Sequence, residues 1–118
     1  MNVYEILNRI YVNDMDQAVA FYERLLGETC KKRLEHKQLQ LELAQVGNLL
    51  LIGGSEEVLT PFRNTKATFL VDSIVEFKNF LLENGATIIK DLMETPTGIT
   101  MIVKHFDGTV VEYMEQRN

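Results

Sequence analysis

The stretch DMDQAVAFYERLLG, residues 14–27, decides the fold, because it has the signals of a short helix at both ends and recurs later in the chain. Asp14 with Gln17 resembles a capping box at a helix N-terminus. Gly27 stands where a helix ends on a left-handed residue. Its apolar stripe, typical of a core-facing side, is Val19, Tyr22 and Leu26.

The second copy is DSIVEFKNFLLENG, residues 72–85. Ser73 and Glu76 form its capping signal, and Gly85 ends it. Its apolar stripe is Ile74, Phe77 and Leu81. A unit repeated within one chain predicts that the whole fold is built from two similar modules.

Each predicted helix lies between strand-like segments. An apolar strand precedes each helix, at 5–12 and at 66–71. Three strand-like segments follow each one, at 29–36, 39–46 and 48–54, and then at 87–94, 99–106 and 109–115. The last hairpins turn at Gly47-Asn48 and at Asp107-Gly108. The plan is therefore strand, helix and three strands, written twice.

This plan predicts a single α+β domain of two tandem βαβββ modules whose curled mixed sheets surround a cleft. Module one is expected over 1–53, a linker rich in glycine with Pro61 over 54–65, and module two over 66–118. One module alone would leave a bare sheet face, so the modules must pair, either within one chain or between chains.

Composition excludes several classes of function. The 118 residues, 46% of them hydrophobic, suffice for a compact core. With a net charge of −5 and one short basic run, Lys31 to Arg33, nucleic acid is not an expected partner. No stretch approaches the ~20 apolar residues of a membrane span, so no membrane partner is expected. No signal peptide is recognised, and Cys30 is the lone cysteine, which fits a cytoplasmic location.

The pattern resembles the vicinal oxygen chelate superfamily, which includes glyoxalase I, bleomycin-resistance proteins and extradiol dioxygenases. The likeness rests on residues 10–27 and on the closing stretch FDGTVVEYMEQ, residues 106–116. There an Asp-Gly turn is followed four residues after the glycine by Glu112. The resemblance implies paired βαβββ modules around a cleft, often at a dimer interface.

The resemblance also implies where metal-dependent relatives hold a divalent ion. Four side chains, from the first and last strand of each module, serve there as ligands. In this chain the matching positions are Leu7, Leu51, Lys66 and Glu112, where Leu51 follows from aligning Gly47 of the first module with Gly108 of the second. Leucine has no donor atom and a protonated lysine repels a cation, whereas such sites normally need three protein ligands. We therefore expect no metal and no cofactor.

Strand alternation then predicts which side chains line the cleft and bind a ligand. The predicted lining is Leu7, Arg9, Leu49, Leu51, Lys66, Thr68, Val110, Glu112 and Met114. In this mostly apolar cleft, Lys66 and Glu112 are expected to form an ion pair where relatives hold the metal. Three roles stay open for that pair: a structural replacement, an anchor for a ligand, and acid–base catalysis.

Other candidate residues carry weaker signals. His36 lies in a polar hairpin and His105 precedes the Asp-Gly turn, so both are expected at the surface rather than as ligands or bases. Cys30 opens a strand and is expected to be a small packing residue.

Three functions compete. The first is a metal-free protein that binds an amphipathic or anionic small organic molecule, as a homodimer. The second is a lyase, isomerase or dioxygenase of the same superfamily. The third is an interaction module with a vestigial cleft. Whether the chain is an enzyme, and what its ligand is, the sequence leaves open.

Overall fold

A computed structural model describes residues 1–117 and forms two compact units. The first unit is residues 8–64, and the second combines residues 1–7 with the chain from Thr65 onward. The elements in chain order are β1 (Val3–Val12), α1 (Met15–Leu26), β2 (Lys32–His36), β3 (Leu41–Val46), β4 (Leu49–Gly53), α2 (Glu56–Leu59), β5 (Thr65–Val71), α3 (Ile74–Glu83), β6 (Thr87–Thr95), β7 (Gly98–Lys104) and β8 (Val110–Gln116). Two 3-10 turns, Lys37–Leu39 and Thr60–Phe62, follow β2 and α2.

The first unit has the strand order β2-β3-β4-β1, with α1 on one face. β1 and β4 are parallel, while β3 is antiparallel to both of its neighbours, so the sheet is mixed. The Asp14 carboxylate accepts a hydrogen bond from the Gln17 backbone N–H at 3.0 Å, and Gly27 ends α1 in the left-handed conformation. Both features confirm the predicted bounds of this helix.

The second unit repeats the arrangement with the order β5-β8-β7-β6 and with α3 on one face. β5 and β8 are parallel, and the β8–β7 and β7–β6 pairs are antiparallel. The Ser73 hydroxyl accepts from the Glu76 backbone N–H at 3.4 Å, which is the cap that the sequence predicts. The α+β class and the two βαβββ modules are confirmed.

Each unit has a core between its helix and its sheet. In the second unit, Phe77 and Leu81 of α3 pack on Val111 and Tyr113 of β8. In the first unit, Met15 and Val19 of α1 pack on strand side chains. The α3 stripe, and Val19 and Tyr22 of the α1 stripe, face the core as the 3.6-residue spacing predicts, whereas the prediction was wrong for Leu26, which is 43% exposed.

The stretch expected as a linker forms structure of its own. Ser55 caps α2, its hydroxyl accepting from the Val58 backbone N–H at 3.3 Å. Leu59 at the end of α2 is fully buried in a second core cluster of the first unit, on the sheet face opposite α1. The expected linker is therefore part of the packed first unit.

No helix within residues 1–117 has the length and apolar character needed to cross a membrane. The cytoplasmic location, and the domain limits drawn from sequence, stay predictions.

Candidate functional site

The candidate site lies on the face of the second unit's sheet that points away from α3. Phe69 and Tyr113 belong to the core side of that sheet, so alternation turns their neighbours Thr68 and Glu112 to the other side. We call this surface the Glu112 face. Its members are Thr68, Leu70, Thr100, Ile102, Val110, Glu112 and Met114.

Thr68 and Glu112 form the polar centre of this face. They are directly opposite in the parallel β5–β8 pair, and the Thr68 hydroxyl donates to the Glu112 carboxylate at 2.9 Å. Thr68 is only 1% exposed, whereas Glu112 is half-buried. A hydroxyl that is held this tightly fixes the direction of the carboxylate, because a buried donor left without a partner is costly.

The residues around this pair are mixed in polarity. Ile102 lies next to Glu112, and Thr100 next to Met114, across the β7–β8 ladder. The Thr97 hydroxyl contacts the Met114 sulfur at 3.6 Å. The Glu112 face thus joins one carboxylate to threonine hydroxyls and to flexible apolar side chains, a combination suited to an amphipathic molecule.

The structure places Lys66 differently from the sequence prediction. A bulge shifts the β5–β8 register between Thr65 and Ala67, and Lys66 is the exposed residue in between. Thr68 takes the place opposite Glu112 that the prediction gave to Lys66. This placement argues against the predicted ion pair of Lys66 with Glu112, and the hydrogen bond from Thr68 supplies the local partner instead.

Leu49 and Leu51 are corrected by the structure. Leu51 is fully buried beneath α1, and Leu49 packs against the same cluster. Leu51 pairs with Ile10, another residue of that cluster, so both leucines lie on the helix side of the sheet. A shift of one residue in register reverses the face of every side chain in a strand, and equating Gly47 with Gly108 introduced such a shift.

The two hairpins explain that error. A two-residue turn joins Val46 to its pairing partner Leu49, whereas the paired residues Lys104 and Val110 are separated by a five-residue loop, 105–109. Loop length sets the register of a hairpin, so glycines in the two turns are not equivalent positions. The Arg9–Leu50 pair of the β1–β4 ladder is the first unit's equivalent of the Thr68–Glu112 pair in the β5–β8 ladder.

The remaining predicted residues are distributed over both units. Leu7 is 4% exposed in the second unit, and Val110 is buried on the Glu112 face. In the first unit the Arg9 guanidinium donates to the Tyr11 hydroxyl at 3.0 Å. Whether these residues bind a ligand stays a prediction.

The α2 segment was missed as a structured element of the first unit. It covers the first unit's sheet on the side of Tyr11 and Ile52, and the Tyr11 hydroxyl donates to the Phe62 carbonyl. The Arg63 guanidinium lies 5.8 Å from the centre of the Tyr11 ring. The signal was present in the sequence, since Ser55 followed by two glutamates is a helix start. Side chains on this face of the first unit therefore contact α2 and the 3-10 turn that follows it.

The donor set does not fit the divalent ion of metal-dependent relatives. At the matched positions that the strand pairing gives, Leu50 has no ligand atom, Arg9 carries a positive charge, and Thr68 offers only a neutral hydroxyl beside Glu112. Among residues 1–117, no three His, Cys, Asp or Glu side chains come together as a metal site would require. The groups of the Glu112 face that can act on a ligand are therefore its hydroxyls and its carboxylate.

Both histidines are less exposed than expected. His36 is half-buried, and its Nδ1 atom is buried without a hydrogen-bond partner within residues 1–117. His105 is half-buried and its Nε2 atom lies 2.6 Å from the Tyr113 hydroxyl. Burial raises the pKa of Tyr113 to about 12. Cys30 packs against the core beneath α1, in agreement with its expected packing role.

The chain is similar to a protein of known structure in both sequence and fold. No family model matches the chain, and no curated protein matches it. The crystal structure of an uncharacterized protein from Methanosarcina mazei is 49% identical over 99% of this chain and 95% of its own, with a TM-score of 0.88. The chain belongs to the family of this Methanosarcina protein. This relationship rests on sequence identity as well as on the shared fold.

More distant structures share the fold. Methylmalonyl-CoA epimerase from Mycobacterium tuberculosis is 16% identical, with a TM-score of 0.79 over 98% of this chain and 90% of its own. A Streptomyces coelicolor methylmalonyl-CoA epimerase variant, in complex with 2-nitronate-propionyl-CoA, is 15% identical, with a TM-score of 0.76 over 99% of this chain and 100% of its own. The chain therefore has the fold of these epimerase structures.

Proposed function

We propose that this protein binds an amphipathic small organic molecule on the Glu112 face without a metal ion. The observation that carries the proposal is the half-buried Glu112 carboxylate, held at 2.9 Å by the buried Thr68 hydroxyl and bordered by Ile102 and Met114. An ionised carboxylate only accepts hydrogen bonds, so the ligand is expected to present an N–H or O–H group to Glu112. Its apolar part would lie against Ile102 and Met114.

Lys66 and Arg9 extend the proposal to anionic ligands. Lys66 is exposed beside β5, where its ammonium group could meet a carboxylate or phosphate of a ligand through solvent. Arg9 is half-buried in the first unit. We therefore include molecules with one anionic group among the candidates, and we assign that group no fixed position.

Native mass spectrometry of the purified protein tests this proposal first, because a molecule retained through purification is identified by its mass. A thermal-shift screen of short-chain acyl-CoA thioesters, amides and hydroxy acids extends the test. A ligand that binds only the folded state raises the unfolding temperature. We expect Glu112→Gln to abolish the shift and the exposed control Glu83→Gln, in α3, to keep it. Equal shifts in both variants would contradict the assignment of Glu112.

An isomerase is the second candidate, since a half-buried carboxylate could remove a proton next to a carbonyl group. The Thr68 hydroxyl already occupies one carboxylate oxygen of Glu112, so a reacting proton would have to approach the other oxygen. Structures named methylmalonyl-CoA epimerase share the fold and motivate the choice of substrate for the test. Exchange of the α-hydrogens of propionyl-CoA in D2O, followed by NMR and lost in Glu112→Gln, would favour the isomerase over the binding protein.

A further inference from the structure

The first unit contains an open groove that the proposed function does not use. Its volume is about 390 Å³, and it lies where β1 and β4, two parallel strands, both end. Met15 of α1 and Leu41 of β3 form its apolar floor, each less than a tenth exposed. The carboxyl ends of parallel strands are a common place for ligands in mixed sheets.

The rim of the groove carries one unpaired charge of each sign. Glu35, at the end of β2, and Lys37, in the following 3-10 turn, both line the groove and are exposed. Glu42 also lines it, but its carboxylate is paired with the Arg33 guanidinium at 2.7 Å. Within residues 1–117, neither Glu35 nor Lys37 forms an ion pair. In this groove, Glu35 can thus accept hydrogen bonds from a cation and Lys37 can donate hydrogen bonds to an anion.

A strained residue lies at the same groove. Gln40 is the one non-glycine residue with a positive φ, 57°, within residues 1–117, and it lines the groove. An L residue in this conformation costs roughly 1–2 kcal/mol, and such residues cluster at sites that hold ligands. The lining includes two neutral polar side chains, Gln40 and Asn13. The Asn13 amide donates to the Gly54 carbonyl at 3.0 Å.

We propose that this groove binds a small zwitterion, an α-amino acid with an apolar side chain. The α-ammonium group would pair with Glu35 and the α-carboxylate with Lys37, while the apolar side chain would lie on Met15 and Leu41. A ligand with both charges suits a rim with both charges, because each end gains a partner and neither is left desolvated alone. The groove and the Glu112 face share no residue, so this site stands independently of the proposed function.

The test is an NMR titration of the full chain with L-leucine, observed through backbone amide shifts. We expect saturable shifts at the groove residues at millimolar concentrations. L-Leucine methyl ester lacks the carboxylate and 4-methylpentanoate lacks the ammonium group, and each should bind about two- to fivefold more weakly, as loss of an exposed ion pair implies.

The same titration on variants tests the two residues. Glu35→Gln and Lys37→Met should each weaken leucine binding by about two- to fivefold. The matched controls Glu57→Gln and Lys104→Met change exposed residues outside the groove and should bind as the wild type does. The proposal is overturned if leucine causes no saturable shift at the groove. It is also overturned if the one-charge analogues bind as well as leucine, or if Glu35→Gln and Lys37→Met bind unchanged.

Discussion

At the scale of single residues, the Thr68–Glu112 pair is the feature on which the site depends. A buried hydroxyl donating to a half-buried carboxylate is a directional contact, and its two partners come from strands that are 44 residues apart in sequence. The sequence contains both residues but does not indicate that they meet. Glu112 was recognised from its position after the Asp-Gly turn, whereas its partner depended on a bulge at Lys66. Bulges are set by the local strand contacts and leave little trace in composition.

We expect Thr68→Val to lower the free energy of unfolding by about 1–2 kcal/mol, because it removes a hydrogen bond to a charged group while keeping the side-chain volume. Thr68→Ser keeps the hydroxyl and should cost less. Urea denaturation of Thr68→Val, Glu112→Leu and the double variant measures the coupling, which we expect to exceed ~0.5 kcal/mol. Additive single and double variants would mean that the two side chains do not interact.

Tyr113 gives a prediction of pH dependence. Its burial raises its pKa to about 12 from the ordinary value of 10. Because the raised value belongs to the folded state, the contribution to stability is complete below pH 10 and is lost as the pH rises towards about 12. Between these values the free energy of unfolding should fall by up to about 1.4 kcal/mol per pH unit through this group.

Urea denaturation across this range, with Tyr113→Phe for comparison, measures the effect. The variant loses the contact with His105, so its stability is lower at neutral pH, but the alkaline slope should be shallower than in the wild type. Equal slopes for the two proteins would show that Tyr113 does not ionise with a raised pKa.

At the scale of elements, local signals were read correctly and non-local ones were not. α1 and α3 begin and end within two residues of their predicted limits, because caps and glycines act within one helical turn. The sheet face on which the β4 side chains lie was predicted wrongly, because the prediction treated two hairpin loops of unequal length as equivalent. The segment α2 was taken as a linker, since four helical residues have no periodicity to recognise, although Ser55 marked its start.

The buried position of Leu59 predicts that α2 stabilises the first unit. Leu59→Ala should lower the free energy of unfolding by about 2–5 kcal/mol, as for other fully buried leucines. Leu25→Ala is the matched control, because Leu25 is 63% exposed on α1, and its effect should stay within about 0.5 kcal/mol. Urea denaturation measures both. A cost for Leu59→Ala as small as that of the control would mean that the segment is not packed in solution.

At the scale of the whole molecule, the sequence identified the class of fold because the repeat, the caps and the order of strands agree with one another. It did not identify the site in the same detail. Positions taken over from a family hold only where register is conserved; Leu51 follows a shorter hairpin loop than Glu112 does, and Lys66 lies at the bulge of β5. The side chains that surround Glu112 become visible only through the pairing of β7 with β8.

We expect the protein to be a homodimer, as the superfamily resemblance suggests. Apolar side chains that stay exposed in one chain agree with a further contact, among them Tyr4 at 72% and Phe21 at 56%. Light scattering at micromolar concentration should give twice the chain mass of 13.6 kDa. A monomer mass under these conditions would contradict this expectation.

We expect the Glu112 face to bind its ligand without a metal ion, with the Thr68 hydroxyl as a hydrogen-bond partner of Glu112. Elemental analysis of the protein, purified without chelator, tests it most directly. We expect no stoichiometric Zn, Ni, Mn or Fe in the wild type or in Glu112→Ala, because Arg9, Leu50 and Thr68, at the positions matched with Glu112, do not complete a ligand set. One tightly bound divalent ion per chain in the wild type, absent from Glu112→Ala, would contradict the claim.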